Sequence, residues 1–96
     1  MPTEIITLTV QPGRRAEFLQ KVAETGPAYL AQPGVQSARF FTQIDDDDSV
    51  LGVIDWASKA DLEAAVASPA GQSFLGAIGP LLAGAPAMRL GEAVPA

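Results

Sequence analysis

The sequence predicts an α+β domain of ferredoxin-like βαββαβ order, built on one four-stranded antiparallel sheet. Three observations predict it. Apolar residues alternate with period two over 3–10, 35–44 and 50–56 and, more weakly, over 87–94. They follow a helical period over 14–31. Cap and proline signals precede two short helical stretches, near 59–67 and 69–78. Strand, helix, strand, strand, helical segment, strand is the split βαβ plan.

The first strand, Thr-Glu-Ile-Ile-Thr-Leu-Thr-Val over 3–10, is rich in β-branched residues. Ile6, Leu8 and Val10 share one face; Ile5, Thr7 and Thr9 share the other. Gln11-Pro12-Gly13 breaks the strand. The helix that follows carries an apolar stripe of Phe18, Leu19, Val22, Ala23, Tyr29 and Leu30, with Arg14, Arg15, Glu17, Lys21 and Glu24 toward water. Gly26-Pro27 lies inside it, and proline removes a backbone donor, so a kink is expected there.

Gln32-Pro33-Gly34 marks the next turn. Two strands then form a hairpin around Asp45–Ser49, expected to be a solvated polar tip. Ser58, with Asp61 three residues on, resembles a capping box and starts the second helix. Ser68-Pro69 places serine at a cap and proline at the first helical position of the next. Gly79-Pro80 and Gly84-Ala85-Pro86 end the helical region. The last strand is interrupted by Gly91. No repeat or linker divides the chain, so residues 1–96 are expected to form a single domain.

Both faces of the central strands are apolar. Val50, Ile54 and Trp56 point one way, Leu51 and Val53 the other; on the second strand Val35 and Phe41 lie opposite Ala38, Phe40 and Ile44. Helices can cover only one side of such a sheet, and the simplest cover for the other is the same face of a second copy. The apolar content of 48% agrees with a homodimer, because a chain of this size buries only about 60–65% of its unfolded surface alone.

Composition excludes several classes. A net charge of −5 disfavours nucleic acid and anionic membrane surfaces as partners. Cysteine and histidine are absent, which removes thiolate chemistry, disulfides and the commonest metal ligands. The run Asp45-Asp46-Asp47-Asp48 lacks the spaced ligands and turn glycine of a calcium loop, so no metal is expected. Met1–Val10 lacks the basic start and apolar core of a signal peptide, and no apolar run approaches the roughly 20 residues of a membrane span. A cytoplasmic location is the expectation.

Four motifs, taken in order, resemble the antibiotic-biosynthesis-monooxygenase-like family of dimeric α+β barrels. They are Val10-Gln11-Pro12-Gly13 before a helix with Phe18; Gln32-Pro33-Gly34-Val35; Asp55-Trp56-Ala57-Ser58-Lys59; and Ala67-Ser68-Pro69 followed by Phe74. The resemblance runs along nearly the whole chain. It implies two sheets facing each other in a dimer, and a pocket in each subunit between sheet and helices. Some members of the family oxidise polycyclic phenols or quinols with molecular oxygen and need no metal or flavin; others degrade haem. The haem-degrading pattern needs asparagine, tryptophan and histidine at positions that here hold Ile6, Ala65 and Leu75, so haem degradation is rejected. The polyketide-oxidising pattern pairs the strand tryptophan with an asparagine four residues earlier; here Trp56 is present and that position is Gly52.

The resemblance therefore implies a monooxygenase without cofactor, acting on a small aromatic or quinol-like molecule. The competing reading is a non-catalytic small-molecule-binding or structural homodimer of the same fold. Trp56 is the candidate catalytic residue and, with Tyr29, Phe74 and Arg39, a candidate substrate contact. Each has a plainer alternative. Trp56 can be a packing ring at the strand–helix junction rather than a stacking platform. Tyr29 and Phe74 can be core residues of helical stripes. Arg39, like Asp55, can sit at an exposed edge or in a cross-strand pair rather than hold an anionic oxygen. Trp56 is expected to border the pocket, and Gly52 to leave space beside it.

Overall fold

A computed structural model describes all residues, Met1–Ala96. The elements are β1 (Pro2–Thr9), α1 (Arg15–Leu30), β2 (Val35–Gln43), β3 (Asp46–Trp56), α2 (Lys59–Ala67), α3 (Pro69–Ile78), a 3-10 turn (Gly79–Leu81) and β4 (Ala87–Glu92). The strands form one antiparallel sheet in the order β2-β3-β1-β4. This is the expected α+β ferredoxin-like architecture.

The period-two alternation of β1 and β3 sets which side chains meet the helices. Leu8 and Val10 from β1 and its end, and Val50, Ile54 and Trp56 from β3, are buried with Phe18, Tyr29, Leu62, Phe74 and Ile78. The helices cover this face only. Along the opposite face, Arg39, Val53, Ile5 and Arg89 pair in one cross-strand row, and Phe41, Leu51, Thr7 and Ala87 in the next. Ile5 keeps 46% of its surface exposed and Phe41 keeps 38%. A third row is polar: Asp55 accepts hydrogen bonds from Thr3 Oγ1 at 2.5 Å and Ser37 Oγ at 2.6 Å. Those two donors hold its carboxyl below the usual carboxylate range.

Caps fix the helix starts. Ser58 Oγ accepts from the Asp61 amide at 3.1 Å, and its hydroxyl donates to Asp61 Oδ2 at 3.0 Å. The short aspartate thus returns to the serine hydroxyl, not to the backbone amide that a full capping box would satisfy. Ser68 repeats the device, accepting from the Gly71 amide at 3.0 Å and donating to the Ala65 carbonyl at 2.6 Å. A Cβ on Gly71 would overlap the Ala65 and Val66 carbonyls, so glycine is what lets α2 turn directly into α3. Gly34, at φ +96°, closes the α1–β2 turn against Asp61.

One local expectation, the hairpin tip, is corrected. β3 begins at Asp46, so the hairpin turn is Ile44–Asp45 and three of the four aspartates lie in the strand. The backbone there is paired: Val10 N–H donates to the Asp48 carbonyl at 2.7 Å, and Thr9 faces Ser49. Strand pairing uses backbone groups, and the carboxylates of Asp46 and Asp47 still reach water. A register shift between Thr42 and Gln43 takes up the extra residues. α1 also runs uninterrupted through Pro27. The acceptor that proline leaves unpaired is the carbonyl of Ala23, an exposed residue, where water can replace the lost bond. No helix is long and apolar enough to cross a membrane.

Candidate functional site

A cavity of about 390 Å³ lies between the sheet and the helices. That volume falls within the range of about 300–1,000 Å³ common for small-molecule sites. The sheet contributes Glu4, Ile6 and Leu8 from β1, Phe40 from β2, Ile54 from β3 and Met88 from β4. The helices contribute Tyr29, Leu62, Val66, Phe74, Leu75 and Ile78, and Leu82 and Pro86 close the side toward β4. Only two of these side chains are ionisable, Glu4 and Tyr29.

Glu4 reaches the cavity because it continues the inward parity of Ile6 and Leu8 on β1. It is 7% exposed. Glu4 faces Ile54 across the ladder, and Trp56 lies two residues further along β3 on the same side. The Trp56 indole Nε1–H donates to Glu4 Oε1 at 3.0 Å. The second carboxylate oxygen has no partner in the chain, and because no fully buried side-chain oxygen is left unsatisfied, Oε2 keeps some accessible surface on a residue of the cavity wall. Burial pushes the Glu4 carboxyl above its ordinary value, and the indole hydrogen bond opposes that shift without cancelling it.

Tyr29 stands beside this carboxyl. Its ring stacks on Phe74 with centroids 5.1 Å apart and planes 11° from parallel. It tilts at 59° to Trp56 across 6.2 Å. Burial first, and the Glu4 charge second, push its phenol up to about 12. Tyr29 is thus a neutral hydroxyl near neutral pH, able to donate to an oxygen in the cavity. Together the walls offer an apolar volume with one carboxyl and one phenol among their side chains. No group of acidic side chains converges as a metal site would require.

The sequence profile of the antibiotic biosynthesis monooxygenases matches residues 1–76. The chain belongs to the antibiotic biosynthesis monooxygenase family. No curated protein matches it in sequence. Solved structures match over nearly its full length. A candidate antibiotic biosynthesis monooxygenase from Nitrosomonas europaea superposes with a TM-score of 0.88 at 12% identity, covering 98% of this chain and 99% of that one. One from Bordetella bronchiseptica gives 0.88 at 24% identity, covering 97% and 96%. SnoaB of Streptomyces nogalater, a cofactor-independent oxygenase, gives 0.86 at 24% identity, covering 99% and 94%. At these identities the likeness is one of fold.

Within this family fold the four sequence candidates separate. Tyr29 and Phe74 both line the cavity. Trp56 is 0% exposed and lies behind the wall, touching Tyr29 and holding Glu4. Arg39 lies on the opposite sheet face, its guanidinium 4.9 Å from the centre of the Phe41 ring. Strand parity is the reason: Arg39 faces Val53 while its neighbours Ala38 and Phe40 turn inward. Nor does Gly52 leave free space, for a Cβ there would sit 2.8 Å from Ile6 Cγ2 and 3.0 Å from Phe40 Cε1. The space beside Gly52 is filled by these two neighbours. Sequence reasoning passed over Glu4, although a signal was available: an acidic residue in phase with Ile6, Leu8 and Val10 sits on a core face.

Proposed function

We propose that the protein is a cofactor-independent monooxygenase that oxidises a small aromatic or quinol-like molecule in this cavity. The observation that carries the reading is an apolar chamber whose only ionisable wall groups are Glu4 and Tyr29. Family membership and the SnoaB-like fold support it. An electron-rich quinol supplies its own reducing equivalents: dihydro-substrate and O₂ give mono-oxygenated product and water. The chamber would exclude water and orient the ring against the Tyr29–Phe74 stack.

We also propose that the working unit is a homodimer joined through the helix-free sheet face. Ile5, Phe41, Leu51 and Val53 stand there without a covering element, flanked by Arg39, Arg89 and Asp55. A twofold partner would cover the apolar rows and bring cationic and acidic groups of the two copies into range.

Oxygen uptake tests the reaction. The protein is mixed with a panel of hydroquinones, naphthols and anthrones, and oxygen is followed at an electrode while products are weighed by mass spectrometry. Protein-dependent uptake, with products that gain one oxygen atom and lose two hydrogens, is expected from at least one anthrone-like compound. Saturable quenching of Trp56, the single tryptophan, without any uptake would instead identify a binding protein.

A further inference from the structure

We propose that Glu4 is the proton acceptor of this site and selects neutral, weakly acidic phenols or enols, with Trp56 as the residue that positions its carboxylate. The inference rests on the monooxygenase reading above and names the group that starts the reaction. It stands on four observations. Glu4 is buried on the cavity wall. One of its oxygens is fixed by the Trp56 indole at 3.0 Å. Its other oxygen has no partner in the chain and is not fully buried. No lysine or arginine lines the cavity to neutralise it or to hold an anionic ligand.

The chemistry balances without further groups. The substrate hydroxyl gives its proton to Glu4 Oε2, leaving a phenolate or enolate. The ring carbon that becomes electron-rich then reduces O₂ by two electrons in one-electron steps and forms a carbon–oxygen bond. The resulting peroxide anion takes the proton back from Glu4. Loss of the carbon-bound hydrogen, again through Glu4, cleaves the O–O bond, releases water and leaves a carbonyl. The net change is dihydro-substrate plus O₂ to ketone plus water. Tyr29, neutral and on the same cavity wall, donates to the substrate oxygen as charge grows on it.

The same arrangement discriminates against anions. A carboxylated analogue would bring a second negative charge beside Glu4 in an apolar chamber with no cation, where like charges disfavour each other strongly. A neutral phenol enters without that penalty. Tyr29 is the only other titratable group on the wall. Asp55 and Arg89, on the strands flanking β1, pair with Thr3 and Ile5 and so face the opposite side of the sheet.

The test uses E4Q, E4D and W56F in the full chain, with an anthrone or naphthol that the wild type oxidises. Glutamine keeps the volume and can still accept from the indole, but it cannot take a proton. E4Q is expected to bind the neutral phenol anaerobically within about threefold of wild type, by Trp56 quenching. Its kcat should fall by about 100-fold or more, the scale of general-base catalysis. The acidic limb of the wild-type kcat/KM profile should vanish in E4Q, persist in E4D with partial activity, and move to higher pH in W56F. A carboxylated analogue should bind E4Q better than wild type. If E4Q turns over as fast as wild type with the same pH profile, the Glu4 assignment is overturned and the oxygenase reading survives. If wild type consumes no oxygen with any member of the panel, the oxygenase reading fails and the role of Glu4 falls with it.

Discussion

The Trp56 indole and the Glu4 carboxylate, 52 residues apart in sequence, meet at 3.0 Å and tie β3 to β1 behind the cavity. The bond favours the charged carboxylate, so its loss is felt most where Glu4 is ionised. W56F is expected to lose about 1.5–3 kcal/mol from the hydrogen bond at pH 8, the scale of a bond to a charged group, together with some packing energy. At pH 4 the hydrogen-bond part should shrink while the packing part remains. Urea denaturation at the two pH values measures the difference; equal losses at both would show that the ring acts by packing alone.

Glu4 and Asp55 are expected to make opposite contributions to the pH dependence of stability. The Glu4 carboxyl is raised in the folded state, so between its unfolded value near 4.5 and its folded value the folded chain holds more protons than the unfolded chain. Stability from this group therefore falls as pH rises through that window. Asp55 is lowered from 3.8 by Ser37 and Thr3, so its contribution is complete above that value and is lost as pH falls through the folded one. Thermal melts of wild type, E4Q and D55N from acid to neutral pH check both signs. E4Q should flatten the decline on the neutral side, and D55N should flatten the loss on the acid side.

Gly52 leaves no room for a side chain. G52A places a methyl group 2.8 Å from Ile6 Cγ2 and 3.0 Å from the Phe40 ring. A loss of about 1–3 kcal/mol is expected, as for overpacked cores. G52N, which restores the amide of the polyketide-oxidising pattern, should lose at least as much. In an I6A background G52A should cost less than it does in wild type, because the truncated side chain makes room for the new methyl. Denaturant midpoints of G52A, G52N, I6A and I6A/G52A measure this; a G52A protein as stable as wild type would mean that Ile6 and Phe40 move aside freely.

For the dimer, light scattering at micromolar concentration is expected to give about twice the 9.9 kDa chain mass. Leu51, centred on the helix-free face between Phe41 and Thr7, is the position to disturb. L51R buries a charge at that contact without touching the cavity wall and should yield a folded monomer. A wild-type mass near that of one chain would remove the proposed interface.

Much of this architecture was legible because its causes are local. Alternation in β1 and β3, the helical stripe from Phe18 to Leu30, and the serine–proline signals at Ser58 and Ser68-Pro69 act over a few residues, and the elements appear where those signals stand. The hairpin tip was not legible, because β3 continues through the aspartates on backbone pairing to β1 and β2, a long-range gain that side-chain charge does not report. The two sides of the sheet were readable as two apolar faces; strand parity also put Arg39 on the helix-free face, but only once the register to Val53 was known.

The sequence by itself determined the order of elements, the inward phase of Glu4 with Ile6 and Leu8, and the absence of histidine and cysteine from any site. The tertiary structure decided which aromatic rings face a ligand. Tyr29, Phe74 and Trp56 all sit on apolar faces, and residue type cannot say which of three inward rings is sealed behind the others. Packing α1 and α3 over β1 and β3 left Tyr29 and Phe74 on the cavity wall and buried Trp56 completely. It also gave Glu4 its partner. A carboxylate in an apolar wall requires a donor, and the indole that supplies it becomes a neighbour only when β3 pairs with β1.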